Sequence, residues 1–333
     1  MSLDRVSIII VTYKGDEVLA DCLASLRATC GAEPQIVVVD NSPSEATQRL
    51  VEAYANAVYV KSPGNPGFAG GNNRGLPFCS RDFILLLNND TIVRSRRSIE
   101  SLVEFLESHH DSGVVQGSIV LPRAGGAAGG CGSFLTPLGF QYAVGFGVPL
   151  CSPGVNVPHR CFSAMGAFLM FRRSILSKTG FLFYDHFSSY YEESDFCHRV
   201  WLAGYEVWYV PTEPIEHLCG YTAGKFKRID IMRQYIRNSF FSLKVNLGFP
   251  SRLTILSCYY MVMFFHACLH LLRGDAKTFR TDIGIFAEIF RVRKEIALAR
   301  RSVARCVSDY LVFRHVLRLP TLRYLFRAVR GNM

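Results

Sequence analysis

An apolar run, Leu85-Leu86-Leu87, stops abruptly at three oxygen-bearing side chains, Asn88, Asn89 and Asp90. A buried β-strand that presents carbonyl and carboxylate oxygens at its carboxyl end can hold a divalent cation against the phosphates of a nucleotide. The same three residues also suit a turn that closes a strand. Their neighbours decide between the two.

Asp40 follows Ile36-Val37-Val38-Val39 and is placed to accept a hydrogen bond from the imide N–H of uracil or thymine, a donor that other bases lack there. As a helix N-cap or turn residue it would be equally at home. Thr12 and Tyr13 end the apolar run that starts at Val6 and can line the same pocket through their backbone groups, or simply terminate a strand. Gly64 to Gly75 reads as a loop: Gly70 and its companions let backbone approach a ligand, Asn72 and Asn73 offer amides, and Arg74 offers positive charge for phosphate. This segment matches neither G-x-G-x-x-G nor the Walker-type loop, which removes the main support for a dinucleotide enzyme or a nucleoside triphosphatase.

Glu192, Glu193 and Asp195 crowd the first turn of a helix that opens after Tyr190-Tyr191. Acids there are favoured by the helix dipole whatever their role. An ionised carboxylate that faces a substrate hydroxyl is also a general base, so one acid can cap while another acts. His217 follows a further strand and is either a structural histidine or a third metal ligand.

These residues need elements to carry them. Val6–Thr12, Ile36–Val39 and Phe83–Leu87 are almost continuously apolar, as strands buried on both faces of a parallel sheet must be. Between them, Asp16–Thr29 and Glu45–Asn56 repeat apolar residues at helical spacing. The alternation predicts a doubly wound α/β unit whose ligands gather at the carboxyl ends of its strands, Thr12-Tyr13-Lys14, Asp40-Asn41-Ser42 and Asn88-Asn89-Asp90. Beyond them the sequence predicts a helix over Ser98–His109, a strand near Val114–Leu121, a surface loop over Gly125–Gly132, a strand over Gly166–Phe171, a short helix over Ser174–Lys178 and a strand over Val207–Val210.

Composition adds the surroundings. With 333 residues the chain has ample length for a core, and its eleven scattered cysteines contain no C-x-x-C pair, which fits reduced thiols in a cytosolic compartment better than a disulfide frame or a zinc site. Met1 to Arg5 lacks the pattern of a secretory signal, so no export is expected. The formal charge of +10 is uneven: Lys225 to Met333 carries 21 Lys/Arg against 6 Asp/Glu, and the preceding 224 residues carry 16 against 21. The basic charges of the tail alternate with long apolar runs, which suits an anionic membrane surface and not nucleic acid. Leu253–Leu272 holds no Lys, Arg, Asp or Glu and admits three readings: a spanning helix, a helix lying in the membrane interface or inserted as a hairpin, and a buried soluble helix.

Taken as an ordered set, Val6–Tyr13, Val38–Ser42, Asn65–Gly75, Asn88–Asp90, Tyr191–Cys197 and His217 resemble the inverting family-2 glycosyltransferases of the nucleotide-diphosphosugar type. The likeness is greatest to the rhamnosyltransferase-like branch that builds bacterial surface polysaccharides such as O-antigen, and it covers about the first 245 residues. It implies a glycosyltransferase A-type fold, a Rossmann-like, mostly parallel sheet with helices on both faces. Residues 1–112 would form a nucleotide-sugar-binding half, 113–245 an acceptor-binding and catalytic half of the same domain, and 246–333 a basic amphipathic helical tail that associates with a membrane.

The resemblance further implies that Asp40 reads the pyrimidine and that Asp90, with His217, holds Mg²⁺ or Mn²⁺ on the donor diphosphate. Two departures from the family pattern stand out: Asn88 replaces the first acid of the usual Asp-x-Asp, and Glu192-Glu193 replaces a Glu-Asp pair. The base is assigned to Glu193, with Glu192 as the alternative. The implied reaction moves a sugar, rhamnose by the branch, from a dTDP- or UDP-sugar to a hydroxyl of a lipid-linked saccharide, at the cytoplasmic face of the inner membrane. The rival readings are a sugar nucleotidyltransferase, for which Lys14 and Arg74 are thin material, and a non-catalytic membrane-bound sugar-binding scaffold.

Overall fold

The computed structural model describes residues 2–218 and 228–319; Cys219, Gly220 and the last stretch of the basic tail, from 320 on, lie outside the described residues. The chain opens with β1 (Val6–Thr12), α1 (Asp16–Cys30), β2 (Gln35–Asp40), α2 (Glu45–Glu52), β3 (Ala57–Lys61), α3 (Gly67–Gly75) and β4 (Phe83–Asn88). Next come β5 (Thr91–Ile92), α4 (Arg97–Ser108), β6 (Ser112–Gln116), β7 (Ile119–Leu121), β8 (Ala127–Ala128), β9 (Ser133–Leu135), β10 (Gln141–Ala143) and β11 (His159–Arg160). They are followed by β12 (Phe168–Arg172), α5 (Leu176–Thr179), α6 (Glu192–Leu202), β13 (Glu206–Tyr209) and β14 (Ile215–His217). The remaining described elements are helices: α7 (Arg228–Asn246), α8 (Phe249–Leu272), α9 (Ala276–Arg291), α10 (Arg293–Ser302) and α11 (Asp309–Val316).

Eight strands form the main sheet in the order β11-β13-β6-β12-β4-β1-β2-β3. β1 to β4 run parallel, β12 runs against both β4 and β6, and β13 is parallel to β6. This is the mostly parallel, glycosyltransferase A-like sheet that the sequence implied. A second sheet, β5-β14-β7-β8, lies where β4 ends.

Period-two alternation divides the core. Ile9, Val37, Val39, Ile84 and Leu86 face one way and pack with Phe196 and Val200 of α6; Ile8, Ile10, Val38, Leu85 and Leu87 face the other and pack with Leu19 and Leu23 of α1 and Leu102 and Leu106 of α4. Both faces of these strands are therefore covered, which is why they read as unbroken apolar runs. The first of the two cores extends through Phe240 and Leu243 of α7 into Ile255, Tyr259 and Met263 of α8, Ile285 and Ile289 of α9, and Val312 and Val316 of α11.

Several expectations are corrected. Gly67–Gly75 is a helix and not a loop: a Cβ on Gly71 would sit 2.5 Å from Val11 and one on Gly75 2.9 Å from Ile9 and Val39, so these glycines let α3 press against the sheet. Val114–Leu121 is not one strand, because β6 and β7 separate around Gly117 and join different sheets. The expected loop Gly125–Gly132 contains β8, with Ala128 and Cys131 buried. α2 stops at Glu52, and β3, which the sequence reading missed, completes the edge. α8 is half-buried: Ile255, Tyr259, Met263 and Ala267 point inward, while Leu253, Met261, Phe264, Phe265 and Leu272 are exposed. It is thus neither a wholly buried helix nor one bare on all sides.

Candidate active site

Register fixes where the strand ends fall. Thr12 pairs with Asp40 and Val11 with Asn88, so the ends of β1, β2 and β4 form one edge. Asn89 donates from Nδ2 to Thr12 Oγ1 at 3.0 Å, tying the first and last of them together. The buried Asp40 carboxylate accepts from Ser42 N (2.9 Å), Ser44 N (3.2 Å) and the Tyr59 hydroxyl (3.1 Å). It therefore organises the turn into α2. Beside it opens a cavity of about 340 Å³ lined by Lys14, Asp16, Glu17, Ser42 and Ser44. Tyr13 is half-buried at the same edge, with Lys14 Nζ over its ring.

Asn88, Asp90 and His217 converge. His217 ends β14, whose pairing with β5 sets it opposite Thr91, next to the turn that carries Asp90. His217 Nε2 lies 3.1 Å from Asp90 Oδ1 and 3.1 Å from Asn88 Nδ2, and Leu218 N donates to Asp90 O at 2.9 Å. One carboxylate, one imidazole and an amide that can turn its oxygen inward make an oxygen-and-nitrogen donor set of the kind Mg²⁺ and Mn²⁺ accept. Among the described residues no group of three His, Cys, Asp or Glu converges anywhere. The donor set fits a cation whose other ligands come from a substrate or water, and only Asp90 brings full negative charge to it.

Glu192 and Glu193 begin α6. Glu192 is buried, and its Oε2 has no hydrogen-bond partner among the described residues. Burial, with the Glu193 charge beside it, pushes its carboxyl well above the usual range. Glu193 is only half-buried and accepts from Gly166 N at 3.2 Å; its carboxyl is also raised, chiefly by burial, and that N–H works the other way. Burial thus acts on both carboxyls, and Glu193, eased by the Gly166 N–H, gives up its proton before Glu192 does. A Cβ on Gly166 would lie 2.7 Å from Glu193 Oε1, so a larger residue there would push the Glu193 carboxylate aside. The next residue, Ala167, accepts from Asn88 N at 3.2 Å. Two consecutive residues therefore hold Glu193 on one side and the Asn88–Asp90 turn on the other.

The segment before α6 is strained: Ser188, Tyr190 and Tyr191 all take positive φ, 60°, 68° and 79°. Asn238 of α7, fully buried, holds it by directing Nδ2 to the carbonyls of Phe187 (3.0 Å), Ser189 (3.2 Å) and Tyr190 (2.7 Å). The sequence reading gave Asn238 no task, and its neighbours, Arg237 and Ser239, carry no signal that it is buried. Asp195 is not a cap: it pairs with Arg199 (2.9 Å) and accepts from Asn246 (2.8 Å), and Arg199 donates to the carbonyls of Thr179, Phe181 and Leu182.

The glycine-rich segment also faces this loop, with Ala69 N donating to Ser188 O at 2.8 Å. Asn73 donates to Phe183 O and Asp185, and Asn72 donates to Phe68 O. Gly70 is buried with its Cβ position against Pro66, and half-exposed Arg74 donates to Ser62. These contacts are internal, so the segment braces the site from behind.

Residues 7–180 match the family model described as glycosyl transferase family 2. The chain belongs to that family. This family-2 chain is 30% identical over 207 residues to a low-salt glycan biosynthesis hexosyltransferase of Haloferax volcanii, covering 59% of this chain and 62% of that one. It is 21% identical over 189 residues to an O-antigen chain rhamnosyltransferase of Salmonella anatum, covering 56% and 58%. The matches thus span about three fifths of the length of these curated relatives. Among solved structures, a Pyrobaculum calidifontis mannosyltransferase in complex with GDP-Man and Mn²⁺ aligns over 98% of this chain and 86% of its own, with TM-score 0.54 and 15% identity. S. aureus TarS aligns over 90% of this chain and 53% of its own, with TM-score 0.59 and 15% identity. These two likenesses concern the fold.

Proposed function

We propose that this family-2 chain is an inverting glycosyltransferase that moves a sugar from a dTDP- or UDP-sugar to a hydroxyl of a lipid-linked saccharide. The observation that carries the reading is the Gly166-Ala167 pair, which holds an acid with a raised pKa and the Asn88–Asp90 turn side by side. Glu193 accepts the proton of the acceptor hydroxyl as its oxygen attacks the anomeric carbon. The bond from that carbon to the donor diphosphate breaks, its electron pair leaves with the diphosphate, and configuration inverts. Glu192, kept neutral, holds Glu193 in a water-poor setting that favours proton uptake. Mg²⁺ or Mn²⁺ held by Asp90 and His217, with Asn88 alongside, would neutralise charge on the departing diphosphate.

The cavity beside Asp40, with Thr12 and Tyr13 on its edge, is the position we assign to the nucleoside. Asp40 would give up one of its turn contacts to meet a pyrimidine imide. Gly70, Asn72 and Asn73 would act on the donor by bracing that wall, and Arg74 by its charge. Rhamnose as the sugar is supported by the likeness to the Salmonella rhamnosyltransferase. The exposed apolar side of α8, flanked by Arg252 and Arg273, supports a chain that rests on an anionic cytoplasmic membrane surface.

Thermal melting with a panel of nucleotide sugars tests the reading, because a ligand of the folded state raises its stability. A pyrimidine-diphosphate sugar should raise Tm, more so with Mn²⁺, and the Mn²⁺ increment should vanish in Asp90→Ala. A panel in which only purine-diphosphate sugars act would overturn the donor assignment.

A further inference from the structure

A second cavity, of about 530 Å³, lies between α7 and α9 and is lined by Arg233, Ala276, Lys277, Arg280, Thr281 and Gly284. Three of these six residues are cations, and all three are exposed. Arg233 also pairs with Glu288, which tempers one wall; among the described residues no ion-pair partner is found for the side chains of Lys277 or Arg280. Of the nearby acids, Asp275 caps α9 and pairs with His270 at 3.1 Å, and Asp282 is turned onto His266 at 2.9 Å. A Cβ on Gly284 would meet nothing within 4 Å, so the wall is open there. The cavity has the charge and the hydroxyl to take a phosphate or diphosphate, and the active-site chemistry described above does not use it.

Two neighbours say where such a phosphate would come from. α8 and α9 form an antiparallel pair, for His270 meets Asp275, His266 meets Asp282 and Tyr260 stacks on Phe286. The start of α9, which supplies the cations, therefore adjoins the end of α8, where Leu269, Leu271 and Leu272 are 42%, 54% and 85% exposed. A basic cavity beside exposed leucines matches a headgroup joined to an apolar chain. On the other side, Arg233 stands one turn, about 6 Å along the axis, before Arg237, whose guanidinium donates to His186 O at the root of the Glu193 loop.

We propose that this cavity binds the phosphate or diphosphate through which the acceptor saccharide is joined to its lipid, with the lipid chain along the exposed side of α8. The inference rests on the acceptor being lipid-linked. It gives the tail a task beyond adhesion: it grips the acceptor at its anionic joint, near the helix that positions the base.

The test uses the full chain and phosphatidylcholine vesicles doped with a polyprenyl diphosphate, against vesicles of equal charge doped with phosphatidylglycerol. Wild type should prefer the diphosphate vesicles, and inorganic diphosphate should compete. Lys277→Glu/Arg280→Glu, at two exposed positions, should lose about tenfold in partition to those vesicles, given what each basic residue contributes at an anionic surface. Arg173→Glu/Lys178→Glu, the same charge change near α5, should retain the preference. Equal partition of wild type to the two vesicle types, or equal losses in both double variants, would overturn the site. Inorganic diphosphate binding without any vesicle preference would overturn the lipid as its source. Mn²⁺-dependent hydrolysis of the donor without vesicles is read in parallel: its absence counts against the glycosyltransferase reading, while its presence alongside failed vesicle binding counts against this cavity alone.

Discussion

Two adjacent acids in a low-dielectric setting cannot both ionise cheaply, and the difference between Glu192 and Glu193 decides which one works. Among the described residues Glu192 lacks a partner at Oε2, whereas Glu193 has the Gly166 N–H. Glu193→Gln should therefore cost about 10²–10⁴ in kcat with donor affinity kept, and Glu192→Gln should retain most turnover. The acid limb of kcat/KM should lie above the ordinary glutamate value of about 4.3 and stay there in Glu192→Gln, because burial raises the Glu193 carboxyl and a neutral Glu192 adds no charge to remove. Steady-state rates across pH check both.

Stability has its own sign. A carboxyl whose folded pKa is raised contributes stability that is present below the unfolded pKa and is lost as pH rises through the folded one. Glu192→Gln should thus leave stability near pH 4 almost unchanged and raise it by about 1–3 kcal/mol at pH 8, measured by urea unfolding. At this scale the sequence was readable for types and not for partners. Asp90 and His217 are 127 positions apart, and only the family likeness joined them before the fold did.

Elements explain which parts of the fold were legible. β1, β2 and β4 are buried on both faces, so their sequences carry the signal outright. α3 does not, because glycine is a poor helix former and four of its nine residues are glycine. Packing overrides propensity there: the bare Cα atoms let the helix sit against β1, which no local pattern announces. Gly71→Ala should cost about 1–3 kcal/mol through overpacking against Val11, as a drop in the urea midpoint. The Val114–Leu121 strand failed for a related reason, since an apolar run shows burial but not that Gly117 lets the chain change sheets. Asn238 belongs to this scale too, because it lets a helix hold a strained loop. Asn238→Ala should lower kcat by about tenfold to a hundredfold through misplacement of Glu193. Nucleotide-sugar affinity, read by titration calorimetry, should stay within about twofold. Equal losses in affinity and turnover would make Asn238 a general stability residue instead.

For the molecule as a whole, the charge asymmetry visible in the sequence acquires a shape. The tail is not an appendage to be cut away at Asn246, because Ile255, Tyr259, Ile289 and Val316 complete the core that Phe240 and Leu243 begin. Chain after α11 returns to the body as well: Arg318 N donates to Leu135 O, and its guanidinium lies 3.6 Å from the centre of the Phe134 ring. Truncation would expose that core, and its effect on membrane binding could not be separated from misfolding. Substitution on the outer side of α8 avoids this. Phe264 and Phe265 are 61% and 64% exposed, so replacing both by Ser removes apolar surface that the fold does not use. Each Phe offers the membrane about 1.5–3 kcal/mol if fully buried there, so the double variant should partition at least tenfold less to anionic vesicles with its melting temperature unchanged. Co-sedimentation at low and high salt separates the two contributions: the basic flanks of α8 should account for the salt-sensitive part and the phenylalanines for the part that survives salt. If the double variant co-sedimented as wild type does at both salts, α8 would face something other than lipid.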